Sequence, residues 1–387
     1  MRTQVGIVGA GPAGLLLSHL LARQGIESVV LEARSRSYVE QRTRAGVLEH
    51  PTVELLREVG LGERMDAEGL PHEGISLRFE GGDHRIDFAE LLGRGIVVYG
   101  QQEVVRDLIA ARLAAGGDLR FEVSDLTLDG ITDTPVITYT RDGQRDELHC
   151  DVIAGCDGFH GISRGAFASA SYDRQYPFAW LGILAKAAPT HDELVYANHP
   201  HGFALYSMRS AEVTRLYLQV PSDTNADDWS AARIWDELNL RLAADGFSIN
   251  EGPLIEKGVT GMRSNVSEPM RHGKLFLAGD AAHIVPPTGA KGMNLAVADV
   301  RILAEALGTY LHSGDETGID GYSDTCLRRV WRAEHFSWWM TSMLHTFDDE
   351  DAFHRRLQLS QLRYTVSSTA AATSLAENYV GLPHGAI

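Results

Sequence analysis

The most constraining feature of this sequence is its glycine-rich start, TQVGIVGAGPAGLLLSHLLARQGIESVVLEARS at residues 3–35. It predicts a strand, a tight turn, a helix, a second strand and a terminal acid. Gly9, Gly11 and Gly14 form a GxGxxG turn, whose glycines allow the tight turn, a close approach of backbone to pyrophosphate, and close packing of helix on strand. The helix N-terminus would face the phosphates, and Glu32 can bind a ribose hydroxyl. The unit predicts dinucleotide binding and leaves NAD, NADP and FAD open; the alternative is a glycine turn in an unrelated α/β protein.

Charge and cysteine content narrow the range of partners. The 387 residues carry a formal net charge of −17, and a field of that sign repels nucleic acid and anionic lipid, so neither is expected as a partner. Three cysteines without a repeated spacing predict reduced core thiols, and the lack of a Cys-x-x-Cys pair argues against a zinc site, so no metal is expected. The sequence has no signal-peptide pattern and no apolar run of ~20 residues, which predicts a cytoplasmic protein.

The apolar spacing along the chain predicts a mixed α/β and α+β fold. A helix is expected between Pro51 and Gly60, a hairpin around the Gly-Gly-Asp at 81–83, and a second tight turn at Asp142-Gly143. From about 175 to 265, short aromatic-rich runs predict a separate sheet. From 288 onward, apolar residues at helical spacing predict long helices.

Two further motifs favour FAD. A predicted strand ends in Cys156-Asp157-Gly158, and another ends in Gly279-Asp280 before PPTGAKGMN. With the opening turn, in this order, they resemble the three markers of the aromatic-ring flavoprotein monooxygenases. The resemblance implies that Asp280 contacts the flavin ribityl chain and that the helix after PPTGAKGMN directs its amides at the flavin pyrimidine end, where a positive helix end stabilises reduced flavin. The alternatives are a turn aspartate at Asp157 and a helix cap at Asp280.

The resemblance continues through RAGVLE, CDGFHGISR, YANHPHGFAL, LAGDAAHIVPPTGAKG, FSWWMTS and AENYVGLP, essentially end to end. It implies a Rossmann-like FAD-binding domain at 1–174 (with about 70–95 leaning on the next domain), a sheet-bearing substrate domain at 175–285, and a flavin-contacting helical interface region at 286–387 of a homodimer. It also implies hydroxylation of 4-hydroxybenzoate at C3 to 3,4-dihydroxybenzoate with NAD(P)H and O2. The alternative substrate is a closely related para-substituted benzoate.

Such a substrate carries a carboxylate at one end and a phenol at the other. A carboxylate needs an arginine fork and hydroxyl donors, and the family's carboxylate ligands correspond to Ser207, Arg209 and Tyr217. The resemblance implies that Tyr196 hydrogen-bonds the phenol, that Tyr379 is its partner and that His72 passes the proton to solvent. A chain of phenols can remove a proton without admitting bulk water. Six more residues are expected to line the ring, the first of them also counted as catalytic: Pro287, Thr288, Ala290, Trp180, Leu194 and Leu205. Taken singly, each tyrosine could instead be a packed core residue, and Arg209 a surface ion-pair arginine.

The resemblance also implies contacts with the cofactor and the reductant. The expected FAD ligands beyond the glycine turn are Glu32, Arg42, Arg44, Gln101, Asp157, Arg215, Asp280 and Asn294, with Arg215 also supporting flavin movement. The segment EARSRSYVEQRTR is the family's discriminator for the 2′-phosphate of NADPH, here Ala33, Arg34, Tyr38 and Arg42. The arginines favour a phosphate, whereas Ala33 stands where strictly NADPH-using members have arginine. We expect both NADH and NADPH to serve as transient reductants, with NADH preferred; the alternative is that these arginines only solvate a helix.

Two positions depart from the family pattern. Tyr206 is bulkier than expected beside Ser207 and would either tighten the pocket or lie on its far side. His201 replaces an expected arginine. Two rival functions remain. A flavin dehydrogenase or oxidase needs neither a tyrosine chain nor a carboxylate clamp, and a non-catalytic flavin sensor would have lost some of the catalytic positions, none of which is missing.

Overall fold

The computed structural model describes residues 1–42, 46–167, 169–347 and 352–382. The strands of these residues, in chain order, are β1 Arg2–Val8, β2 Ser28–Leu31, β3 Val47–Leu48, β4 Leu70–His72, β5 Gly74–Phe79, β6 Gly82–Asp87, β7 Ile96–Val98, β8 Asp118–Arg120, β9 Ser124–Asp129, β10 Val136–Arg141, β11 Gln144–Gly155, β12 Ala170–Ala185, β13 Leu194–Ala197, β14 Ala204–Ser210, β15 Val213–Pro221, β16 Leu254–Glu268, β17 Arg271–His272, β18 Leu275–Leu277 and β19 His283–Ile284.

The helices of the same residues are α1 Pro12–Arg23, α2 Arg36–Gln41, α3 His50–Glu58, α4 Glu63–Glu68, α5 Phe88–Leu92, α6 Gln101–Ala114, α7 Ala231–Arg241, α8 Gly292–Ser313, α9 Thr317–Asp320, α10 Tyr322–Leu344, α11 Ala352–Ser367 and α12 Thr369–Val380. Among the helices described, none combines the length and the apolar character needed to cross a membrane.

The first sheet contains the glycine-rich unit. Its strand order is β17-β18-β11-β1-β2-β8, and β10 and β9 extend it from β11. The pairs from β18 to β8 are parallel, as expected where helices cover a sheet, and β1 and β2 are almost entirely buried. The opening strand, helix and strand are therefore confirmed, and α1 packs against α6 and α8.

The second sheet has the order β19-β16-β12-β15-β14-β13-β5-β6 and is antiparallel except where β13 pairs with β5. Successive side chains of a strand point to opposite faces. One face packs under α10, α11 and α12, and the other packs on α7. This arrangement decides which residues of β12, β14 and β15 can line a site beneath the C-terminal helices.

The local turn predictions are confirmed. Pro51 lies in the first turn of α3, and Gly60 follows the helix with φ +80°. The hairpin of β5 and β6 turns through Glu80 and Gly81, both at positive φ, and Asp142-Gly143 joins β10 to β11 in the same manner. The mixed α/β fold with a separate aromatic-rich sheet and long C-terminal helices is also confirmed. The domain boundaries remain predictions, and the one at 174 falls inside β12.

Candidate active site

The glycine turn can be made only with glycine at two of its three positions. Gly9 has φ +103°, and a Cβ there would lie 2.4 Å from the carbonyl oxygen of Cys156. A Cβ on Gly14 would lie 2.0 Å from the carbonyl oxygen of Gly9. A Cβ on Gly11, by contrast, would meet no heavy atom of the described residues within 4 Å. Close packing at Gly9 and Gly14 thus fixes the conformation of the turn, while the space beside Gly11 is open to a ligand.

Glu32 lies at the end of β2 beside this turn. Its carboxylate accepts hydrogen bonds from the backbone amides of Ala10 and Arg34, both at 2.8 Å. The two amides fix the orientation of the carboxylate at the mouth of the turn. The predicted contact with a ribose hydroxyl remains a prediction, and lone pairs remain for it on both oxygens.

The other two markers converge on the same turn. Cys156 packs under Gly9, and a Cβ on Gly279 would lie 3.5 Å from that of Ala13 in α1. Asp157 accepts from the amide and the hydroxyl of Ser163, both at 3.0 Å, and its other oxygen is buried without a hydrogen-bond partner in the described part of the chain. Burial raises the pKa of Asp157, although the Ser163 bonds oppose this. Asp280 is exposed.

The start of α8 is held by Asn294. Its amide oxygen accepts from the amide of Glu49 at 2.9 Å and from the hydroxyl of Thr52 at 2.8 Å, and its amide nitrogen donates to the carbonyls of Val47 and Ala290, both at 3.0 Å. These four bonds occupy the Asn294 side chain. The contact of Asn294 with the flavin therefore stays a prediction, and its backbone amide is the group more available to make it.

The remaining predicted cofactor residues differ in exposure. Gln101 is half-buried at the start of α6, and Arg42 is exposed. Gln102, which the sequence did not single out, has a buried side-chain oxygen with no partner among the described residues. Arg44 lies outside the described residues. Open space at Gly11 and the unpartnered oxygens of Asp157 and Gln102 fit a large polar ligand such as FAD.

The predicted coenzyme discriminators lie together on the surface. Tyr38 in α2 is 45% exposed, and the guanidinium carbons of Arg34 and Arg42 lie 5.3 and 5.9 Å from its ring centroid. Ala33 is exposed beside them. Two cations over one exposed ring can attract a phosphate, and the discriminating role remains a prediction.

A second basic aromatic cluster was missed by the sequence reasoning. The guanidinium carbons of Arg164 and Arg263 lie 3.9 and 4.8 Å from the ring centroid of Phe159. Phe159 is two residues from Asp157, whereas Arg263 comes from β16 in the second sheet. The motif CDGFHGISR shows Phe159 and Arg164 close together in the sequence. Arg263 on β16 is about 100 residues away, so the sequence does not indicate its contact with Phe159.

The predicted substrate residues lie on the face of the second sheet that packs under the C-terminal helices. Leu205 of β14 lies opposite both Tyr196 of β13 and Tyr217 of β15. Two residues further along β14, Ser207 lies opposite Arg215. The β14–β15 register shifts at Arg209, and Tyr217 and Arg215 are the titratable neighbours that act on its guanidinium, so Arg209 lies at this end of the surface. Residues from three strands thus converge on one surface.

The end of this surface predicted to hold the substrate carboxylate carries two arginines, Arg209 and Arg215. Ser207 is buried, and Arg209, Arg215 and Tyr217 are half-buried. Burial lowers the pKa of Arg209; Tyr217 opposes this, and the like charge of Arg215 adds to it. A cation in such surroundings gains from an anionic ligand that offers well-directed acceptors.

The end of this surface predicted to hold the substrate phenol contains two tyrosines in contact, Tyr196 and Tyr379. The hydroxyl oxygens of Tyr196 and Tyr379 are 2.5 Å apart, and each residue is 1% exposed. Burial raises both pKa values, for Tyr196 with added effect from Tyr379. The structure therefore brings together the two predicted phenols, which are 183 residues apart in the chain.

His72 lies at the end of β4 and is 1% exposed. Both ring nitrogens are buried without a hydrogen-bond partner among the described residues. Burial lowers its pKa to about 4, although Glu193 and Asp192 oppose this. Its role as the exit of a proton relay remains a prediction.

The residues predicted to line the substrate ring differ in exposure. Pro287 is exposed and Thr288 is fully buried, while Ala290 has φ +54°. On the apolar side, Leu194, Leu205 and Trp180 are 2, 5 and 3% exposed. Trp180 packs on Tyr217 with ring centroids 4.9 Å apart.

The two departures from the family pattern lie away from this face. Tyr206 packs with Phe247 on the opposite face, where its hydroxyl accepts from the amide of Thr190. His201 is exposed, with a ring nitrogen 3.5 Å from the Glu237 carboxylate. Of the alternatives for Tyr206, the far side is therefore confirmed.

A sheet that cradles a dinucleotide, joined to a sheet that presents phenols and arginines, is the architecture of flavoprotein aromatic monooxygenases. Residues 2–337 match the family described as FAD binding domain, and the chain belongs to that family. One relative is the p-hydroxybenzoate hydroxylase of Acinetobacter baylyi, 47% identical over 389 residues that cover 99% of this chain and 96% of that protein. Another is the 4-methyl-5-nitrocatechol 5-monooxygenase of a Burkholderia species, 28% identical over 84% of this chain and 63% of that protein. The crystal structure of p-nitrophenol 4-monooxygenase from Pseudomonas putida has the same fold, with a TM-score of 0.84 at 19% identity over 98% of this chain and 99% of that chain.

Proposed function

We propose that this protein hydroxylates 4-hydroxybenzoate at C3. In the balanced overall reaction, 4-hydroxybenzoate, NAD(P)H, O2 and a proton give 3,4-dihydroxybenzoate, NAD(P)+ and water. The observation that carries the proposal is the contact of Tyr196 with Tyr379 on the sheet face that also holds Tyr217, the neighbour of Arg209. The 47% identity to a p-hydroxybenzoate hydroxylase supports it.

The basic end of the face suits the substrate carboxylate. Arg209 offers a planar fork of N–H donors, and the hydroxyls of Ser207 and Tyr217 can complete the set. Tyr196 lies two strands away from Tyr217 across the same face. A benzoate held by its carboxylate would therefore direct its para position toward the tyrosine pair.

The phenol end suits deprotonation. A phenolate is far richer in electrons at the ortho carbon than the neutral phenol, so removing the proton activates C3. The Tyr196 hydroxyl can accept the substrate proton while it donates its own to Tyr379, so that the proton moves without bulk water. Buried apolar walls at Leu194 and Leu205 keep water from the ring. When bound, FAD supplies the electron transfer from NAD(P)H and the activation of O2.

The division of labour follows the predicted units. We infer that residues 1–174 bind FAD, that 175–285 bind the aromatic acid, and that 286–387 contact the flavin and a second subunit. Residues of β5, within 70–95, pair with β13 and so support the expected contact of that segment with the substrate sheet.

The test uses purified FAD-loaded protein. We expect 4-hydroxybenzoate to stimulate both NAD(P)H oxidation and O2 uptake, with 3,4-dihydroxybenzoate formed in nearly equal amount. Benzoate, which lacks the phenol, and 4-hydroxybenzyl alcohol, which lacks the carboxylate, are matched controls. Peroxide without hydroxylated product would favour an oxidase, and no stimulation by any para-substituted benzoate would refute the proposal.

We also propose a homodimer that uses α11. Its exposed large apolar residues Phe353, Leu357 and Tyr364 are 66, 53 and 57% exposed and lie at helical spacing on one face. Leu357→Glu should convert the protein to monomers in light scattering after gel filtration. Leu240→Glu, at a 43% exposed position of α7, is the control that should leave the mass unchanged. A monomeric wild-type protein would contradict the assignment.

A cytoplasmic location completes the proposal. Cys150, Cys156 and Cys326 are all buried and unpaired with one another, which suits a reducing compartment, and NAD(P)H is required as reductant. Fractionation of cells that express the protein, with activity assayed in each fraction, tests the location.

A further inference from the structure

The C-terminal end of α10 contacts two of the residues predicted to line the substrate ring, Thr288 and Trp180. Thr341 lies in the last turn of this helix, and His345 is the residue that follows the helix end. Thr341 contacts Thr288 in the loop after Pro287, and His345 contacts Trp180 in β12. Thr341 and His345 are both fully buried. Neither belongs to the set of residues predicted to touch substrate or flavin.

The donor of the hydrogen bond between Thr288 and Thr341 follows from the number of protons available. The Thr341 hydroxyl lies 2.7 Å from the carbonyl oxygen of Ser337, which can only accept. Its single proton is therefore used there, so the 2.9 Å contact with the Thr288 hydroxyl must have Thr288 as donor. The orientation of the Thr288 hydroxyl is thereby fixed.

The tautomer of His345 follows in the same way. Its Nδ1 lies 3.0 Å from the carbonyl oxygen of Thr341, so Nδ1 carries the proton. Its Nε2 lies 2.7 Å from Nε1 of Trp180, an indole nitrogen that can only donate, so Nε2 is unprotonated. Burial lowers the pKa of His345 to about 3, which agrees with a neutral ring.

Stacking holds the same ring in place. The His345 imidazole stacks on Phe178 at 4.7 Å and on Phe203 at 4.3 Å between centroids. Trp180, whose N–H it accepts, packs on Tyr217. The chain of contacts from Thr341 through His345 and Trp180 thus ends at a residue that we assign to the substrate carboxylate.

We propose that Thr341 and His345 are positioning residues that set the width of the aromatic-acid pocket. His345 holds Trp180 against Tyr217, and Thr341 holds Thr288 in the loop that precedes α8. Because Thr341 in the last turn of α10 and His345 just after it are close in the chain, Trp180 and Thr288 are kept in register with each other. This inference rests on the proposed function, since it assumes that an aromatic acid binds beside Trp180 and Thr288.

The test compares acceptor loss with acceptor retention at His345. His345→Leu removes the acceptor and leaves the Trp180 N–H buried without a partner, which is unfavourable and allows the indole to turn. His345→Gln keeps an oxygen acceptor. We expect His345→Leu to raise KM for 4-hydroxybenzoate at least fivefold and to halve the product formed per NAD(P)H, while His345→Gln stays within twofold of wild type. Equal values for wild type and both variants would overturn the proposal, as would equal defects in both variants.

A double-mutant cycle tests whether His345 acts through Trp180. Trp180→Phe removes the N–H donor but keeps a ring. If the proposal is right, adding His345→Leu to Trp180→Phe should change KM by less than twofold, because the bond is already absent. A full fivefold change in that background would show that His345 acts by another route and would overturn the inference.

Thr341→Val provides an independent variant should His345→Leu not fold. It removes the acceptor for Thr288 at nearly constant volume and should raise KM at least threefold. Thr365→Val is the matched control, because Thr365 is also fully buried and donates to a carbonyl four residues earlier, at 2.8 Å in α11. Equal KM for the two threonine variants would contradict the assignment.

Failure of the proposed function is recognised separately. If the wild-type protein forms no 3,4-dihydroxybenzoate, the proposed substrate is wrong whatever the variants do. Nitrogen-15 labelling of tryptophan then tests the positioning contact without turnover. The indole N–H signal lost in Trp180→Phe should shift strongly in His345→Leu and weakly in His345→Gln, and an unmoved signal in His345→Leu would refute the contact.

Discussion

At the scale of single residues, the hydroxyl of Tyr196 is the atom on which the proposed chemistry depends most. Tyr196→Phe removes it and keeps the ring. Substrate binding through Ser207, Arg209 and Tyr217 should survive, because that clamp lies at the other end of the ligand. Hydroxylation should fall by about 100-fold or more, as expected when a positioned proton acceptor is lost, and the O2 consumed should appear mainly as hydrogen peroxide.

The measurement is the ratio of 3,4-dihydroxybenzoate formed to NAD(P)H oxidised. Tyr379→Phe should give a milder defect, because Tyr379 is one hydroxyl further from the substrate. Wild-type coupling and rate in Tyr196→Phe would show that this hydroxyl does not activate the phenol.

Arg209 is the residue on which binding of the substrate carboxylate is proposed to depend most. Arg209→Lys keeps the charge but loses the fork, and a charge-assisted hydrogen bond is worth about 1.5–3 kcal/mol. We expect binding of 4-hydroxybenzoate, titrated by flavin absorbance, to weaken at least tenfold with FAD still bound. The control is Arg2→Lys, because Arg2 is 78% exposed in its pair with Asp151 and exposed pairs contribute about 0–1 kcal/mol. Unchanged affinity in Arg209→Lys would reject the assignment.

Sequence patterns could predict residue types but not every contact. The resemblance identified Tyr196 and Tyr379, yet only the fold shows their 2.5 Å contact across 183 residues of chain. To predict which face of the sheet Tyr206 packs on, one must know which residues of β14 point to each face. A single bulky residue in the sequence does not reveal this. His345 gave no signal in the sequence, because its importance comes from Trp180 on a distant strand.

At the scale of elements, the segment from β2 to α2 tests the coenzyme assignment. Arg42 and Arg34 both lie over Tyr38, and a phosphate placed there gains from both cations. Arg42→Ala should therefore raise KM for NADPH at least fivefold more than KM for NADH, in steady-state assays with saturating 4-hydroxybenzoate. Equal effects on the two coenzymes would assign Arg42 to general docking or to FAD instead.

Element existence was largely predictable, whereas element pairing was not. Local signals such as Pro51, Gly60 and Asp142-Gly143 act within a few residues, and the structure agrees with them. The parallel pairing of β5 with β13 joins segments more than 100 residues apart and depends on which apolar faces meet. The last turn of α10 likewise gains its role only from the loop and strand it contacts.

At the scale of the whole molecule, buried titratable groups with opposed effects set the pH dependence of stability. Burial lowers the pKa of His72 to about 4 and of His345 to about 3, below the value of about 6.5 expected when unfolded. As pH falls below 6.5, the unfolded chain therefore binds protons that the folded protein refuses, and the free energy of unfolding decreases. Burial raises the pKa of Glu334 to about 7, although Ser264 and His283 oppose this, so between pH 7 and 4.5 the folded protein binds the extra proton and gains stability as pH falls.

Because the buried histidines and Glu334 have opposite effects, His345→Gln and Glu334→Gln should change the slope of unfolding free energy against pH in opposite directions. One proton of difference between unfolded and folded states changes the free energy of unfolding by about 1.4 kcal/mol per pH unit. His345→Gln should make the loss of stability between pH 6 and 5 shallower by about that amount, because one refused proton is gone. Glu334→Gln should make the same loss steeper, because the compensating uptake is gone. Urea unfolding of the FAD-loaded protein at pH 7, 6 and 5 measures both slopes, with exposed His201→Asn as the control that should match wild type. If His345→Gln and Glu334→Gln keep the wild-type slope, these buried groups do not hold the protonation states that their surroundings favour.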